Sequence, residues 1–508
     1  MGYFIGIDLG TSSVKLVLTD ETGAVKAEAS QEYRLLQPAP GWKEIEARTW
    51  WDAAAAGMDA LLAGQDRAKV RAVGITGQMH SLVLLDRSGE PVRPVLMWND
   101  TRTKDLIPFL KEQILQSDVP YVAGIISTGS PAANLYWVKQ HEPELFARIC
   151  AFLIGPDYLV YRFTGVIGTD YCEASTSSLY DLQKKEWSPD LLRIVGADLK
   201  ICPPVRGSAE IAGRIRPDVA ARFGLPDDVS VIVGTGDNPA ASLPTGCLTG
   251  GYPVLSLGTS GVLMFPRKAP DFRAKGKNIL FSFDGRKIDT LTQGAVQSCG
   301  SGYNWLVRDI LKIENFSGAD QGISFDRLGR GSLLFYPHLV GDKTIYQDPM
   351  LRGAFIGLGT ETSRDDLIQA YMEGVAFAVR QLAEAMSVTL KSDTAKESTA
   401  ETVPSDSGIL RVIGGGSKSD VWMQILADVL GVAILRMEGI PGAGLGMAML
   451  ATYAAGETQF NTVFNRPDSD SQAADAGKYF HPDPERTLLY EAQYQRYLKI
   501  HDALKMVF

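Results

Sequence analysis

The chain has no run of basic residues, no C-x-x-C pair and no uninterrupted apolar stretch long enough to cross a bilayer. Each absence excludes a class of function. Phosphate backbones require clustered Lys and Arg, and a formal net charge of -9 without a basic run excludes a nucleic-acid-binding surface, so any phosphate site has to be local. The five cysteines, Cys150, Cys172, Cys202, Cys247 and Cys299, are odd in number and widely spaced. That pattern fits neither a disulfide framework nor a zinc site and points to a reducing compartment. The start Met1-Gly2-Tyr3-Phe4 leads straight into an apolar strand, so the expectation is a cytoplasmic protein with no signal peptide and no membrane partner. Hydrophobic residues at 45% and charged residues at 21% exclude disordered and fibrous classes. At roughly 100–200 residues per domain, a chain of 508 residues is too long for one core. Two large domains are expected, 1–249 and 250–508, hinged near 245–252, where Gly246, Gly250, Gly251 and Pro253 interrupt the pattern.

What the chain does have is repetition. Leu9-Gly10-Thr11-Ser12 ends one apolar run and returns as Leu257-Gly258-Thr259-Ser260 at the end of another. In both places a second apolar run follows at once, 14–18 and 262–265, so each copy reads as a β-hairpin with a turn of small, hydrogen-bonding residues. Glycine lets a ligand approach the backbone, and successive amides and hydroxyls aim donors at an anion, so such a turn suits phosphate oxygens. Two facing copies would clamp one polyphosphate. A single copy reads equally well as a plain tight turn; two copies in the same context, one headed by Asp8, do not.

The coarse pattern is α/β. Strands are expected near 4–9, 14–19, 24–30, 70–76 and 82–86, with a helix around 50–62, which implies a mixed sheet with helical cover. A buried strand at 231–233 runs through Gly234-Thr235-Gly236 and delivers Asp237-Asn238 at its carboxyl end, where ligand-facing residues commonly sit. The second half repeats the logic, with a strand at 253–258, hairpins to about 292, helices at 301–311 and 364–385, a strand at 410–413 and a helix at 420–430. Gly414-Gly415-Gly416 between strand and helix again suggests backbone contact with a ligand. The segment 392–407, rich in Ser, Thr, Asp and Glu, reads as a polar loop without visible chemistry.

These elements together resemble the FGGY family of carbohydrate kinases, within the actin, hexokinase and Hsp70 superfamily. The residues that carry the likeness are Gly6 to Lys15, Gly77-Gln78-Met79-His80, Leu96 to Arg102, Gly234 to Asn238, Leu255 to Val262, Gly353 to Leu358 leading to Glu373-Gly374, and Gly414 to Gly416. The first motif is shared with chaperones and actin; Gln-Met-His followed far downstream by Gly-Asp-Asn is much more specific. The resemblance implies two ribonuclease H-like ATPase domains flanking a deep interdomain cleft, and ATP-dependent phosphorylation of a ketopentose, first of all D-xylulose to its 5-phosphate.

Phosphoryl transfer to a hydroxyl asks a protein for positioning, charge neutralisation and a base. By resemblance Asp237 is the general base and Asn238 binds sugar hydroxyls beside it; by position alone Asp237 is also a candidate N-cap. Asp8 lies in an apolar strand where an ionised carboxylate needs a partner, and the resemblance assigns it Mg2+, held through water. Met79 and His80 match the pair that contacts the ketose. Trp98, Asn99, Asp100 and Arg102 follow another strand and are expected in the same cleft, with Asn99 and Asp100 as sugar contacts; Asp100 with Arg102 also reads as a surface salt bridge. Gly10, Thr11, Ser12 and Lys15 on one turn, with Gly258 and Thr259 on the other, are assigned to the nucleotide phosphates. Lys15 reads equally as a solvated strand residue. Gly414, Gly415 and Gly416 are assigned to the adenosine, with Ser419 near ribose or base and Trp305 as a packing partner, although a helical Trp is usually core.

Three departures from the family pattern bear on the sugar: Asn134 where lysine is usual, 339–345 where Gly-Glu-Arg is common, and Pro239 after Asp237-Asn238. A kinase for ribulose, L-xylulose, a linear sugar or a polyol therefore stays open, as does, more remotely, a nucleotide-switched protein of the same superfamily. The expected partners are a small sugar and ATP or ADP; the sequence leaves homodimerisation open.

Overall fold

The computed structural model describes residues 2–390, 408–438, 442–456 and 477–505. The polar segment read at 392–407 lies outside the described residues. The chain divides into two compact units, Met1–Pro244 with Ile279–Thr290 and Pro441–Arg466, and Thr245–Asn278 with Leu291–Ile440 and Pro467–Phe508. The first change of unit falls at 244/245, at the glycine-rich stretch.

In the first unit, β1 (Tyr3–Leu9), β2 (Ser13–Asp20) and β3 (Val25–Glu32) form an antiparallel meander. Helix α1 (Ala47–Leu61) packs against β2 and β3 and buries Trp50, Ala54 and Met58. β4 (Val70–Gly77) joins β1 in parallel; β5 (Ile211–Arg214), β6 (Ser230–Ile232) and the short β7 (Thr235–Gly236) complete a seven-stranded mixed sheet in the order β5-β6-β4-β1-β2-β3, with β7 paired to β4. Phe4, Ile5, Ile7 and Leu9 are fully buried, so β1 reads as a nearly continuous apolar run because both faces of the sheet are covered. One cover is the helix Ala443–Ala454. Its backbone approaches so closely that a Cβ on Gly6 would stand 1.8 Å from the Gly444 carbonyl oxygen, and one on Gly74 2.5 Å from that of Met447. The register aligns Leu9 with Gly77, and Gly77 with Gly236. Three chain segments thus leave the sheet at one carboxyl edge: the Gly10 turn, the Gln78-Met79-His80 turn, and α3 (Asp237–Ser242), entered through Gly236. Helix α2 (Tyr171–Thr176), capped by the Asp170 side chain on the Glu173 amide, supports that edge against β7.

The second seven-stranded sheet repeats this plan. β8 (Val254–Leu257) and β9 (Gly261–Arg267) form the hairpin, β10 (Lys277–Phe281) and β11 (Asp289–Val296) extend it, and β12 (Ile409–Ile413), β13 (Ala433–Arg436) and β14 (Lys478–Phe480) follow on the other side. The order is β10-β11-β9-β8-β12-β13-β14, with β8, β12 and β13 parallel and β14 antiparallel, as β1, β4, β6 and β5 are in the first sheet. The repeated Gly-Thr-Ser turn closes the corresponding hairpin of each of two mixed sheets with the same topology. The expected helix at 301–311 is broken: α4 (Gly300–Asn304) passes into a π-helix over Trp305–Ile310. Helix α5 (Arg364–Ala385) starts at a capping box in which Ser363 and Asp366 satisfy each other's amides, and it forms the core with α6 (Asp420–Leu430).

Candidate active site

At the carboxyl edge of the first sheet two carboxyls, Asp8 and Asp237, lie close enough for the charge of the first to act on the second. Asp8 stands opposite Lys15 across the hairpin, and it opens into a 310 Å³ cavity lined also by Lys15, Glu28, Ser30 and Gly444. Burial pushes its carboxyl up to about 6, against the pull of Lys15. Asp237 is the first residue of α3 rather than its cap, which is Gly236. Burial, and next the charge of Asp8, push the Asp237 carboxyl up to about 7. Two carboxyls that repel each other at the end of buried strands suit a proton acceptor working near neutrality, and they suit a hard divalent cation.

Around Asp237 the structure gathers the Gln78-Met79-His80 turn. Asn238 Nδ2 lies 3.8 Å from Met79 Sδ, and a Cβ on Gly236 would meet Met79 Cγ at 2.7 Å and Cys172 Sγ at 2.9 Å. His80 holds φ 75, the left-handed region that non-glycine residues avoid, a strain that surrounding contacts must sustain. Gln78 is buried with both its amide oxygen and nitrogen unbonded. Asn99 is half-buried, and its side-chain oxygen likewise has no partner. An unpaired buried polar atom is costly, so Gln78, which follows the β4 end aligned with Gly236, marks a place built for polar ligand atoms.

Asp100 has a different task from the ligand contact expected of it. Its Oδ1 accepts from the Arg102 amide at 2.8 Å and from Arg102 Nε at 2.9 Å; its Oδ2 accepts from the Lys43 amide at 2.6 Å and Arg102 Nη2 at 2.8 Å. Nor is the pair a surface salt bridge. The Arg102 side chain is 1% exposed, also meets Glu44 at 2.7 Å, and lies 4.0 Å from the centre of the Trp42 ring. The network braces the exposed loop at Trp98-Asn99, where Trp98 Nε1 donates to Thr11 Oγ1 at 3.0 Å. The Gly10–Ser12 turn is closed by Gly10 N–H to the Ser13 carbonyl at 2.9 Å and by the Tyr33 hydroxyl on the Gly10 carbonyl. Lys15 is exposed on β2. Asn134 is fully buried, donating to the Gly129 carbonyl at 3.2 Å.

In the second unit, the Gly258–Ser260 turn is held by the start of α4. Gly300 N–H donates to the Gly258 carbonyl at 2.8 Å, and the Ser301 amide and hydroxyl donate to that of Thr259 at 3.1 and 2.9 Å. Thr259 itself is exposed. Beside the turn lies a 1070 Å³ cavity bounded by Gly258, Thr259, Asn304, Gly415, Gly416 and Ser419, with Tyr303, Phe316 and Trp422 as aromatic walls. Its volume suits a nucleotide. Trp305 is placed elsewhere: it packs half-buried against the core, and the aromatic lining comes from residues that spacing alone did not single out. Gly414 borders a separate 530 Å³ pocket with Ser417, Lys418 and Arg436. With φ 95, it would set a Cβ 2.7 Å from the Leu257 carbonyl oxygen, so only glycine lets the turn cross the end of β8. Ser419 caps α6, accepting from the Trp422 amide at 3.0 Å and donating to Asp320.

Sequence reasoning passed over Asp157, Asp170 and Glu173. Asp170 and Glu173 have the spacing of a helix cap and its third residue, which signals a helix start and gives no sign of burial. Glu44, and Arg93, whose Nη2 pairs with it at 2.6 Å, gave no local signal at all. Among the described residues no helix is long and apolar enough to cross a membrane.

The model of the FGGY family of carbohydrate kinases, N-terminal domain, matches residues 3–244, and that of the C-terminal domain matches residues 254–455. The xylulose kinase of Bacillus subtilis (strain 168) is 32% identical over 507 residues, 99% of this chain and 98% of the relative. The xylulose kinase of Escherichia coli (strain K12) is 32% identical over 508 residues, 98% and 99% of the two chains. A crystal structure described as a xyloylose kinase from Brucella ovis superposes with a TM-score of 0.86 at 31% identity, covering 100% of both chains.

Proposed function

Since the chain belongs to the FGGY family of carbohydrate kinases, which use ATP, we propose that it phosphorylates a ketopentose, converting D-xylulose to D-xylulose 5-phosphate. The observation that carries this reading is Asp237, a carboxyl at a strand's carboxyl end, poised near neutrality, with the strand end that precedes the unpaired Gln78 side chain aligned beside it. In its ionised form it takes the proton of the sugar's terminal hydroxyl; that oxygen forms the new bond to the γ-phosphorus, and the bond from phosphorus to the β,γ-bridging oxygen breaks as ADP leaves. His80, Asn238 and Asn99 hold the other hydroxyls, and Met79 supplies an apolar wall. The 1070 Å³ cavity takes the adenosine, and the Gly258-Thr259 amides and hydroxyl take the terminal phosphates. The Gly10–Ser12 turn and Lys15 serve phosphate oxygens on the side of Asp8. Asp8 and Asp237 are the hard oxygen donors that would hold Mg2+ through water, and the ion, when bound, neutralises phosphate charge.

A coupled ADP-release assay over a panel of ketoses and polyols tests the sugar. D-xylulose is expected to give the highest kcat/KM, and His80→Ala to lower it while leaving the KM for ATP unchanged, because a site that bonds a hydroxyl loses selectivity when its own polar group is gone. Another sugar preferred by about tenfold, roughly 1.4 kcal/mol in the transition state, refutes D-xylulose and leaves the kinase in place.

A further inference from the structure

Behind Asp237 lies a carboxyl that the proposed chemistry does not use. Glu173, on α2, is 1% exposed, and neither of its carboxyl oxygens has a well-formed hydrogen bond within the protein. The charged groups acting on it most strongly are all carboxyls: Asp157 at the start of the helix Asp157–Thr164, Asp170 on the short strand preceding α2, and Asp237 on α3. Two of these are held by their own partners. Asp157 accepts from the Ile154 amide at 3.2 Å, and Asp170 from the Glu173 amide and the Ser208 hydroxyl, each at 2.9 Å. The donor that faces the Glu173 carboxyl is the backbone N–H of His80. An ionised group in this setting would lack both solvent and a counter-charge, so Glu173 stands as the neutral acid, and its carbonyl oxygen is free to accept. Burial and the neighbouring carboxyls push its titration well above the ordinary range, in agreement.

His80 is the residue in this region with a conformation that needs holding. Its φ of 75 places a bulky side chain in the left-handed region, which persists only when the surroundings over-determine it. The flanking chain supplies part of the restraint. Gly77 is paired to β1 and β7, the Gln78 amide donates to the Leu9 carbonyl at 2.8 Å, and the Gly155 amide donates to the Ser81 carbonyl at 2.8 Å. Between Gln78 and Ser81 the chain bends at Met79 and His80. α2 lies beside this bend, since Cys172 Sγ and Met79 both crowd the same face of Gly236.

We infer that Glu173 is a positioning residue, which holds the backbone of His80 in its left-handed turn from inside the fold and thereby aims the His80 ring and the Met79 thioether at the phosphoryl acceptor. The inference rests on the proposed role of His80 and Met79 in sugar binding. It assigns Glu173 no contact with substrate and no proton transfer.

Two variants test it. Glu173→Gln keeps a neutral side chain with a carbonyl acceptor at the same reach; Glu173→Met keeps the length and fills the space without an acceptor. The first readout needs no sugar. The chain has five histidines, and the His80 imidazole signal in a proton–nitrogen correlation spectrum is assigned by its loss in His80→Ala. That signal is expected to stay in place in Glu173→Gln and to move or broaden in Glu173→Met. The second readout splits the kinetics, with the acceptor that the unaltered enzyme phosphorylates best. Glu173→Met should raise the KM for that acceptor about tenfold or more, with the KM for ATP within about twofold, and Glu173→Gln should restore it. An unmoved His80 signal in Glu173→Met overturns the inference. So does a displaced signal in Glu173→Gln, which also decides the matter should the Met variant fail to fold. Equal increases in both KM values overturn it as well. If no panel sugar is phosphorylated by the unaltered enzyme, the kinase reading fails while the His80 signals still judge the positioning.

Discussion

Replacing Asp237 by Asn should abolish turnover and stabilise the folded chain at once. The two effects come from one property of the site. A carboxyl whose ordinary value is 3.8 stands at about 7 in the folded protein because burial, and then Asp8, oppose its charge. Its folded state therefore binds a proton more tightly than its unfolded state. The resulting contribution to stability is fully present below 3.8, declines as the pH rises, and is gone above about 7, where the folded chain bears the ionised group. At about 1.4 kcal/mol per pH unit, the ionised group costs the fold on the order of 4 kcal/mol at pH 8, reduced by whatever solvent reaches it. Asn is neutral at every pH and removes that cost. Thermal unfolding should accordingly give a higher Tm for Asp237→Asn than for the native sequence at pH 8, with the stability gap narrowing to roughly 1.6 kcal/mol at pH 5 and closing near pH 4. Turnover in the coupled ADP assay should fall by about 10²–10⁴-fold, since base catalysis is lost, while ATP binding is retained. The kcat/KM of the unaltered enzyme should rise with pH through an acid limb near 7. An Asn variant within tenfold of normal turnover refutes the base. A variant less stable at pH 8 than the native sequence refutes the electrostatic account of why that base is poised.

Two further outcomes test the frame around the site. Gly414→Ala forces a Cβ to 2.7 Å from the Leu257 carbonyl at φ 95 and should cost about 1–3 kcal/mol in denaturant unfolding with a raised KM for ATP, whereas Gly415→Ala, with nothing within 4 Å of the added carbon, should unfold like the native sequence; equal stability of the two variants refutes the steric argument. Arg102→Met leaves the buried carboxylate of Asp100 without its cation and should destabilise the chain by about 3–5 kcal/mol by the same measurement, with a raised sugar KM because the Trp98-Asn99 loop loses its brace; a change below about 1 kcal/mol means that the network is incidental.

Local chemistry was legible in the sequence wherever it is carried by short-range periodicity and turn residues. The apolar runs of β1, β2 and β8, the two Gly-Thr-Ser turns and the strand leading to Asp237 are local features, because alternation, glycine and small hydroxyl residues act within a few positions of themselves. The duplicated sheet followed from the repeat. Only the tertiary structure decided which polar residues share an interior. Asp100 and Arg102 are neighbours in the chain, yet burial against Glu44, Trp42 and the Lys43 amide makes them a structural brace instead of a ligand contact or a surface pair. Trp305 and Trp422 look alike as helical tryptophans, yet Trp422 is buried in the core and also borders the nucleotide-sized cavity, whereas Trp305 lies half-buried against that core and outside the cavity lining. Glu173 has the spacing of an ordinary capping residue, and packing alone makes it a carboxyl without solvent. A carboxylate's role depends on how many others are buried beside it and on whether a cation accompanies them, and that count is taken over residues scores of positions apart, beyond the reach of any local pattern.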